Sequence, residues 1–170
     1  NSGSIWGEQI LWDHHFKIFS SGMEPYSYYS ATNKCIRGGM SMNGWDAVVV
    51  TGSDPHASEY PAPRWKQVEW LTGFTGEAGD VVVTADHAGL WTDSRYFIQA
   101  LTQLEDTGVE LHKTRVPGAV SIPQWLSDKA RVVAVDGLCH SVSSVQELAD
   151  ALGEGGLVVD VPDMFQELWD

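Results

Sequence analysis

From Trp45 onward, hydrophobic and polar positions fall into short blocks that are strand-like and helix-like by turns. Ala47-Val48-Val49-Val50-Thr51 is a β-branched run closed by Gly52-Ser53-Asp54-Pro55. That pattern predicts a buried strand followed by a turn. Asp80 to Thr84 and Gly89 to Thr92 predict two further strands, with Ala85-Asp86-His87-Ala88 between them as a hairpin loop, so the first half is an antiparallel meander. Tyr96-Phe97-Ile98, Ala100-Leu101 and Leu104 then recur at helical spacing, with Asp93 or Ser94 as N-cap and Gly108 beyond the end.

Strand and helix alternate in the second half. Val109 to Lys113 predicts a strand, and Ser121 opens a helix with Pro123 in its first turn and Trp125 and Leu126 facing inward. Val132 to Asp136 is the next strand, and a helix capped by Ser143 or Ser144 runs through Leu148 and Leu152 to the Gly153-Glu154-Gly155-Gly156 break. Leu157 to Val161 is extended again, and Met164 to Trp169 turns helical. The order predicts an α/β fold: a mixed sheet of the six-stranded type, an antiparallel meander followed by right-handed βαβ crossovers, with helices covering the faces.

Residues 1–39 show no sustained period. Gly, Ser and aromatics are mixed, Asn1-Ser2-Gly3-Ser4 has the character of an artificial linker, and only Ile10 to Phe19 offers a short helix-like spacing. The expected organisation is therefore an N-terminal extension over 1–39, partly artificial or loosely ordered, and a folded domain over 40–170.

Composition narrows the function classes. The chain has 170 residues, 43% of them hydrophobic, and a net charge of -13. Such a surface repels nucleic-acid phosphates and anionic lipid, so neither nucleic acid nor membrane is an expected partner. No apolar stretch approaches the roughly 20 residues of a membrane helix. No basic segment leads into an apolar one at the N-terminus, which leaves the cytoplasm as the expected location. Cys35 and Cys139 lack paired spacing and read as free thiols.

Four segments offer chemistry, each with a plainer reading. Gly73-Phe74-Thr75-Gly76-Glu77-Ala78-Gly79 spaces glycine every third residue, but Glu77 and the following Asp80 would repel a phosphate. A tight turn into a strand fits better. His56-Ala57-Ser58-Glu59-Tyr60 sets an imidazole and a carboxylate three apart, though Asp54-Pro55 ahead of them reads as a helix start and no second acid-and-histidine cluster completes a metal site. Trp91-Thr92-Asp93-Ser94-Arg95-Tyr96-Phe97 places a carboxylate, a guanidinium and aromatics at a strand-to-helix junction. There an arginine can fork onto a ligand carboxylate, or Asp93 can simply cap the helix against Arg95. Cys139-His140 are adjacent and so poorly placed as nucleophile and base. No complete active site is visible.

Taken in order, Asp46 to Val50, Ser53 to Tyr60, Gly73-Phe74-Thr75-Gly76 and Leu90 to Ala100 resemble the N-terminal domain of Xaa-Pro aminopeptidase, a family related to prolidase and creatinase. The similarity continues through Pro117-Gly118, Ser121 with Gln124-Trp125-Leu126, and Val135-Asp136 to Leu168-Trp169-Asp170. The resemblance implies an auxiliary domain with no catalytic residue and no metal of its own. Manganese or zinc would sit in a separate C-terminal pita-bread domain, on spaced Asp, Asp, His, Glu and Glu ligands, and that domain is expected to follow where this chain stops. The implied partners are that catalytic domain, a peptide substrate with proline in second place, and a second copy in a homodimer. Arg95 matches an arginine near the substrate cleft, and His56, Glu59, Tyr60, Asp93 and Tyr96 are the remaining candidates for the substrate entrance. Glu77 and Asp80 depart from the Ser and Thr usual in the family loop, and residues 1–39 do not resemble the family's single helix before the first strand. The alternative expectation is a free-standing α/β binding module without peptidase activity.

Overall fold

A computed structural model describes residues 25–52 and 65–166. The elements are α1 (Pro25–Asn43), β1 (Ala47–Thr51), α2 (Gln67–Thr72), β2 (Asp80–Thr84), β3 (Ala88–Thr92), a 3-10 turn (Ser94–Tyr96), α3 (Phe97–Gln103), β4 (Glu110–Lys113), α4 (Ile122–Leu126), β5 (Val132–Val135), α5 (Val142–Leu152) and β6 (Leu157–Asp160). The strands form one six-stranded sheet in the order β4-β3-β2-β1-β5-β6. β2 runs antiparallel to β1 and β3, whereas β3/β4, β1/β5 and β5/β6 pair in parallel. The carboxyl ends of β1, β3, β4, β5 and β6 therefore all lie at one end of the sheet.

The period-2 side-chain alternation of the central strands fills two cores. Val48, Val50, Val81, Val83, Leu90 and Ala134 face the layer of Ile36, Met40, Leu71 and Ala100, contributed by α1, α2 and α3. Ala47, Val49, Val82, Trp91, Val133 and Val135 face Leu126 and Leu148 of α4 and α5. Because both faces are covered, β1 reads as an almost unbroken apolar run. Asp46 fastens the start of β1 to the neighbouring strand, its Oδ2 accepting from the N–H groups of Arg131 (3.0 Å) and Val132 (2.9 Å).

Helix α1 crosses the boundary expected at residue 40. Thr32, Cys35, Ile36, Gly39 and Met40 are buried at spacings of three and four, a helical stripe. Three of the five are small or polar, so the stripe does not register as hydrophobic in the sequence. Its exit is fixed by Gly44 at φ 76°, after which Trp45 N–H donates to the Met40 carbonyl at 2.9 Å. The short helix expected within Ile10 to Phe19 lies outside the described residues.

Two local details differ from expectation. Helix α5 is capped by Ser141, whose Oγ accepts from the Ser144 N–H at 3.1 Å, and not by Ser143 or Ser144. Ser141 is the residue with extended backbone, and only from that position does a hydroxyl reach the open N–H groups of the first turn. After β6 the chain makes turns through Pro162–Phe165, so the helix expected over Met164 to Trp169 does not begin before Gln166, and the rest of it lies outside the described residues. Buried Asp136 holds these turns from beneath, its Oδ2 accepting from the Asp163 N–H at 2.9 Å. Elsewhere the caps agree: Ser121 and Gln124 form a reciprocal capping box on α4, and Asp93 caps the 3-10 turn.

Candidate functional site

A cleft of about 350 Å³ opens at the carboxyl end of the sheet, between the amino ends of α4 and α5. Strand carboxyl ends in α/β sheets are where the chain leaves the hydrogen-bonded ladder and side chains become free to meet a ligand. Its polar lining includes Asp80, Asp93, Glu147, Arg115 and His140. With three carboxylates against one guanidinium the cleft does not suit a phosphate. Arg115 adopts φ 58°.

Asp93 and Arg95 are brought together as a forked pair. Arg95 Nε donates to Asp93 Oδ1 at 3.0 Å and Nη2 donates to Oδ2 at 2.9 Å. The Asp93 Oδ1 also accepts from the Arg95 backbone N–H at 3.1 Å, so one carboxylate caps the turn and holds the guanidinium. These hydrogen bonds from Arg95 hold the Asp93 carboxyl below the usual carboxylate range, and reciprocally raise Arg95. The Arg95 side chain is nevertheless 65% exposed. A guanidinium has five N–H donors, so the Nη1 group stays available. Tyr96 lies beneath it, with the Arg95 carbon 5.1 Å from the ring centroid, and in turn packs edge-on against Phe74 at 6.0 Å. The junction is thus both a cap and a presented cation. His56, Glu59 and Tyr60 lie outside the described residues.

The glycine-rich segment is a packed turn. Gly73 closes α2 at φ 81° in the left-handed region. A Cβ on Gly76 would stand 2.2 Å from Phe74 Cζ, and one on Gly79 would stand 3.0 Å from Leu90 Cδ1. The Thr75 N–H donates to Gln103 Oε1 at 2.9 Å, and Gln99 and Gln103 both donate to Thr75 Oγ1, tying the turn to α3. At the other segment, Cys139 is buried and His140 Nδ1 pairs with the Asp136 carbonyl at 3.0 Å. Asp136 itself has a carboxyl raised by burial, opposed by the backbone N–H groups it accepts.

One grouping escapes sequence reasoning. His87 of the β2–β3 turn and Glu110 and His112 of β4 meet on one face of the sheet edge, with one ligand-type atom from each within 4.8 Å of the others. No local spacing links His87 to the other two, because His87 and His112 are 25 residues apart and become neighbours only through the β3/β4 register. The i, i+2 repeat of Glu110 and His112 on a strand was the available signal.

Residues 34–168 match the profile of the Creatinase/Prolidase N-terminal domain, and the chain belongs to that family. It is 35% identical over 129 residues to Aminopeptidase P1 of Arabidopsis thaliana, covering 73% of this chain and 20% of that protein. It is 37% identical over 129 residues to Aminopeptidase P1 of Lotus japonicus, covering 73% of this chain and 19% of the relative. The chain thus spans about one fifth of the length of these curated relatives. Among solved structures it is similar to X-prolyl aminopeptidase from Caenorhabditis elegans, described as a cytosolic enzyme with a di-nuclear active site. That match has a TM-score of 0.66 and 33% identity, over 72% of this chain and 21% of that one. The separately solved N-terminal domain of the cytoplasmic peptidase PepQ from Mycobacterium tuberculosis shares the fold, with a TM-score of 0.61 and 24% identity over 81% of this chain and 98% of that one. The resemblance to the N-terminal domain of Xaa-Pro aminopeptidase and the mixed six-stranded fold are both borne out. Among the described residues no helix is long and apolar enough to cross a membrane.

Proposed function

We propose that this chain is the non-catalytic N-terminal domain of a metal-dependent Xaa-Pro aminopeptidase, which removes an N-terminal residue preceding proline. The observation that carries the reading is the 33% identical match to the C. elegans X-prolyl aminopeptidase over 72% of this chain, which includes only 21% of that enzyme. The remaining length of such relatives is where catalytic machinery belongs. A dinuclear centre of the family type needs a carboxylate-rich ligand set, and the donors here do not fit it. The cluster of three metal-ligating types among the described residues has two imidazoles and a single carboxylate. Manganese or zinc for catalysis is accordingly assigned to the catalytic domain, and no catalytic step is assigned to this chain.

The domain's own contribution is to wall the entrance to that site. Arg95 offers its free Nη1 donors to a substrate carbonyl or carboxylate, or to the catalytic domain, while Asp93 fixes the guanidinium in one orientation. Tyr96 supports the cation from below. His56, Glu59 and Tyr60, which resemble a surface motif of the family, are assigned to the same entrance in this reading. The protein acts in the cytoplasm on peptides with proline in second place, and a homodimer of the whole enzyme completes the proposal.

The test is kinetic. In the full enzyme, Arg95→Ala lowers kcat/KM for a proline-second peptide and leaves the melting temperature unchanged, because the side chain is largely exposed. Unchanged kinetics with a lower melting temperature would reduce Arg95 to a structural cap.

A further inference from the structure

The His87, Glu110 and His112 grouping is assembled by the sheet rather than left by chance on a loop. In the parallel β3/β4 pair, Gly89 stands opposite Glu110 and Trp91 opposite His112. Residues 87, 89 and 91 share one face of β3 and its lead-in, and 110 and 112 share the same face of β4. Glycine at 89 gives the imidazole its room: a Cβ there would stand 2.8 Å from His112 Cδ2 and 2.9 Å from its Nε2. Trp91 stacks on the His112 ring at 3.8 Å between centroids and 7° between planes, which fixes the ring's rotation. Trp125 closes over His87 at 5.0 Å.

In this setting the two Nε2 atoms stand 3.0 Å apart. Two Zn–N bonds of about 2.0–2.1 Å at a tetrahedral angle put the nitrogens roughly 3.3 Å apart, so both rings reach one ion with a shift of a few tenths of an ångström. Glu110 is the exposed member. Its side chain is 68% exposed, and Oε2 stands 3.6 Å from His87 Nδ1. It can swing to the ion or hold the His87 ring from behind, as carboxylates do for metal-bound histidines. Burial, and after it the neighbouring His87, lowers the His112 pKa and so favours the neutral imidazole that ligates.

We propose that His87, His112 and Glu110 form a binding site for one divalent transition-metal ion of the zinc class, with a position left for water. The donor set of two imidazoles and one carboxylate favours zinc over magnesium or calcium, which prefer oxygen throughout. Bound there, the ion clips the edge strand β4 to the β2–β3 turn. The site is built from residues of this chain alone and stands whether or not the peptidase assignment does.

Titration of the metal-free 170-residue chain with Zn²⁺ against a chromophoric chelator tests it, with Co²⁺ as a spectroscopic probe. The expected result is one saturable site, a visible Co²⁺ band of low-coordinate intensity, and a Zn²⁺-dependent rise in melting temperature. His87→Gln and His112→Gln each weaken binding at least tenfold or so, and Glu110→Gln weakens it by about tenfold. Glu110→Gln is an exposed change on an edge strand and keeps the fold, so it carries the test if a histidine variant fails to fold. The double variant His14→Gln, His15→Gln, outside the described residues, retains the site. Absence of saturable binding, or affinity unchanged in His87→Gln and Glu110→Gln, or loss that follows His14 and His15 instead, overturns the proposal.

Discussion

Substituting Gly76 by alanine separates the packing reading of the glycine-rich turn from an anion-cradling one. The added Cβ would lie 2.2 Å from Phe74 Cζ, 2.8 Å from Cε2 and 2.9 Å from Cε1. Carbon atoms rest at about 3.5–4.0 Å, so the ring has to retreat by more than about 1 Å. It has nowhere to go: Phe74 is 1% exposed, with Tyr96 edge-on at 6.0 Å. Overpacking of this kind costs about 1–3 kcal/mol. At roughly 2–4 °C per kcal/mol for a chain of this size, the melting temperature falls by about 2–12 °C. The strain is relieved by Phe74→Leu, which removes the clashing ring atoms. In that background Gly76→Ala is neutral or stabilising by about 0.4–1 kcal/mol, since Gly76 is not among the positive-φ glycines. Urea unfolding followed by the fluorescence of the eight tryptophans measures all four corners of the cycle. Equal costs of Gly76→Ala in both backgrounds, within about 0.5 kcal/mol, would refute the argument.

Other consequences are more local. Ser141→Ala removes the α5 cap and costs about 1 kcal/mol in chemical denaturation, whereas Ser143→Ala costs a few tenths at most; the reverse order would return the cap to the later serine. Truncating Leu126, the fully buried residue of α4, to alanine costs about 2–5 kcal/mol, and a smaller loss in thermal unfolding would mean the α4 layer is loosely packed. The lowered His112 pKa makes the native state resist a proton that the unfolded chain accepts near its ordinary value of 6.5. Chelator-treated protein therefore loses stability as the pH falls below that value, by no more than a single proton's worth of slope, and His112→Gln flattens the profile. A profile unchanged in the variant would remove His112 as the cause.

The sheet was legible because its central strands are buried on both faces and so are written in uninterrupted β-branched runs, as in Val48-Val49-Val50 and Val81-Val82-Val83. The edge strand β4 carries Glu110 and Lys113 at its ends, yet its position after a capped helix marked it. Helix α1 was missed because its buried stripe is written in Thr, Cys and Gly beside Ile36 and Met40, so too few of its positions are strongly apolar to show a hydrophobic period. The Ser141 cap was misplaced by two or three positions because three neighbouring serines offer the same hydroxyl and only the backbone turn selects among them. The Asp93 to Arg95 pairing could be read from two adjacent chemistries at a junction, and its forked geometry agrees with the capping reading. The His87, Glu110 and His112 cluster could not be read, because it depends on which residue of β3 stands opposite which residue of β4.

The central claim is that this domain serves a proline-specific metallo-aminopeptidase without performing its chemistry. It is tested most directly by assaying the 170-residue chain beside the complete product of the same gene, both supplied with Mn²⁺, on a tripeptide with proline in second place. The account predicts that the complete protein releases the first residue and the isolated chain releases none. Turnover by the isolated chain, or a complete protein that ends with this domain and leaves the peptide intact, would contradict it.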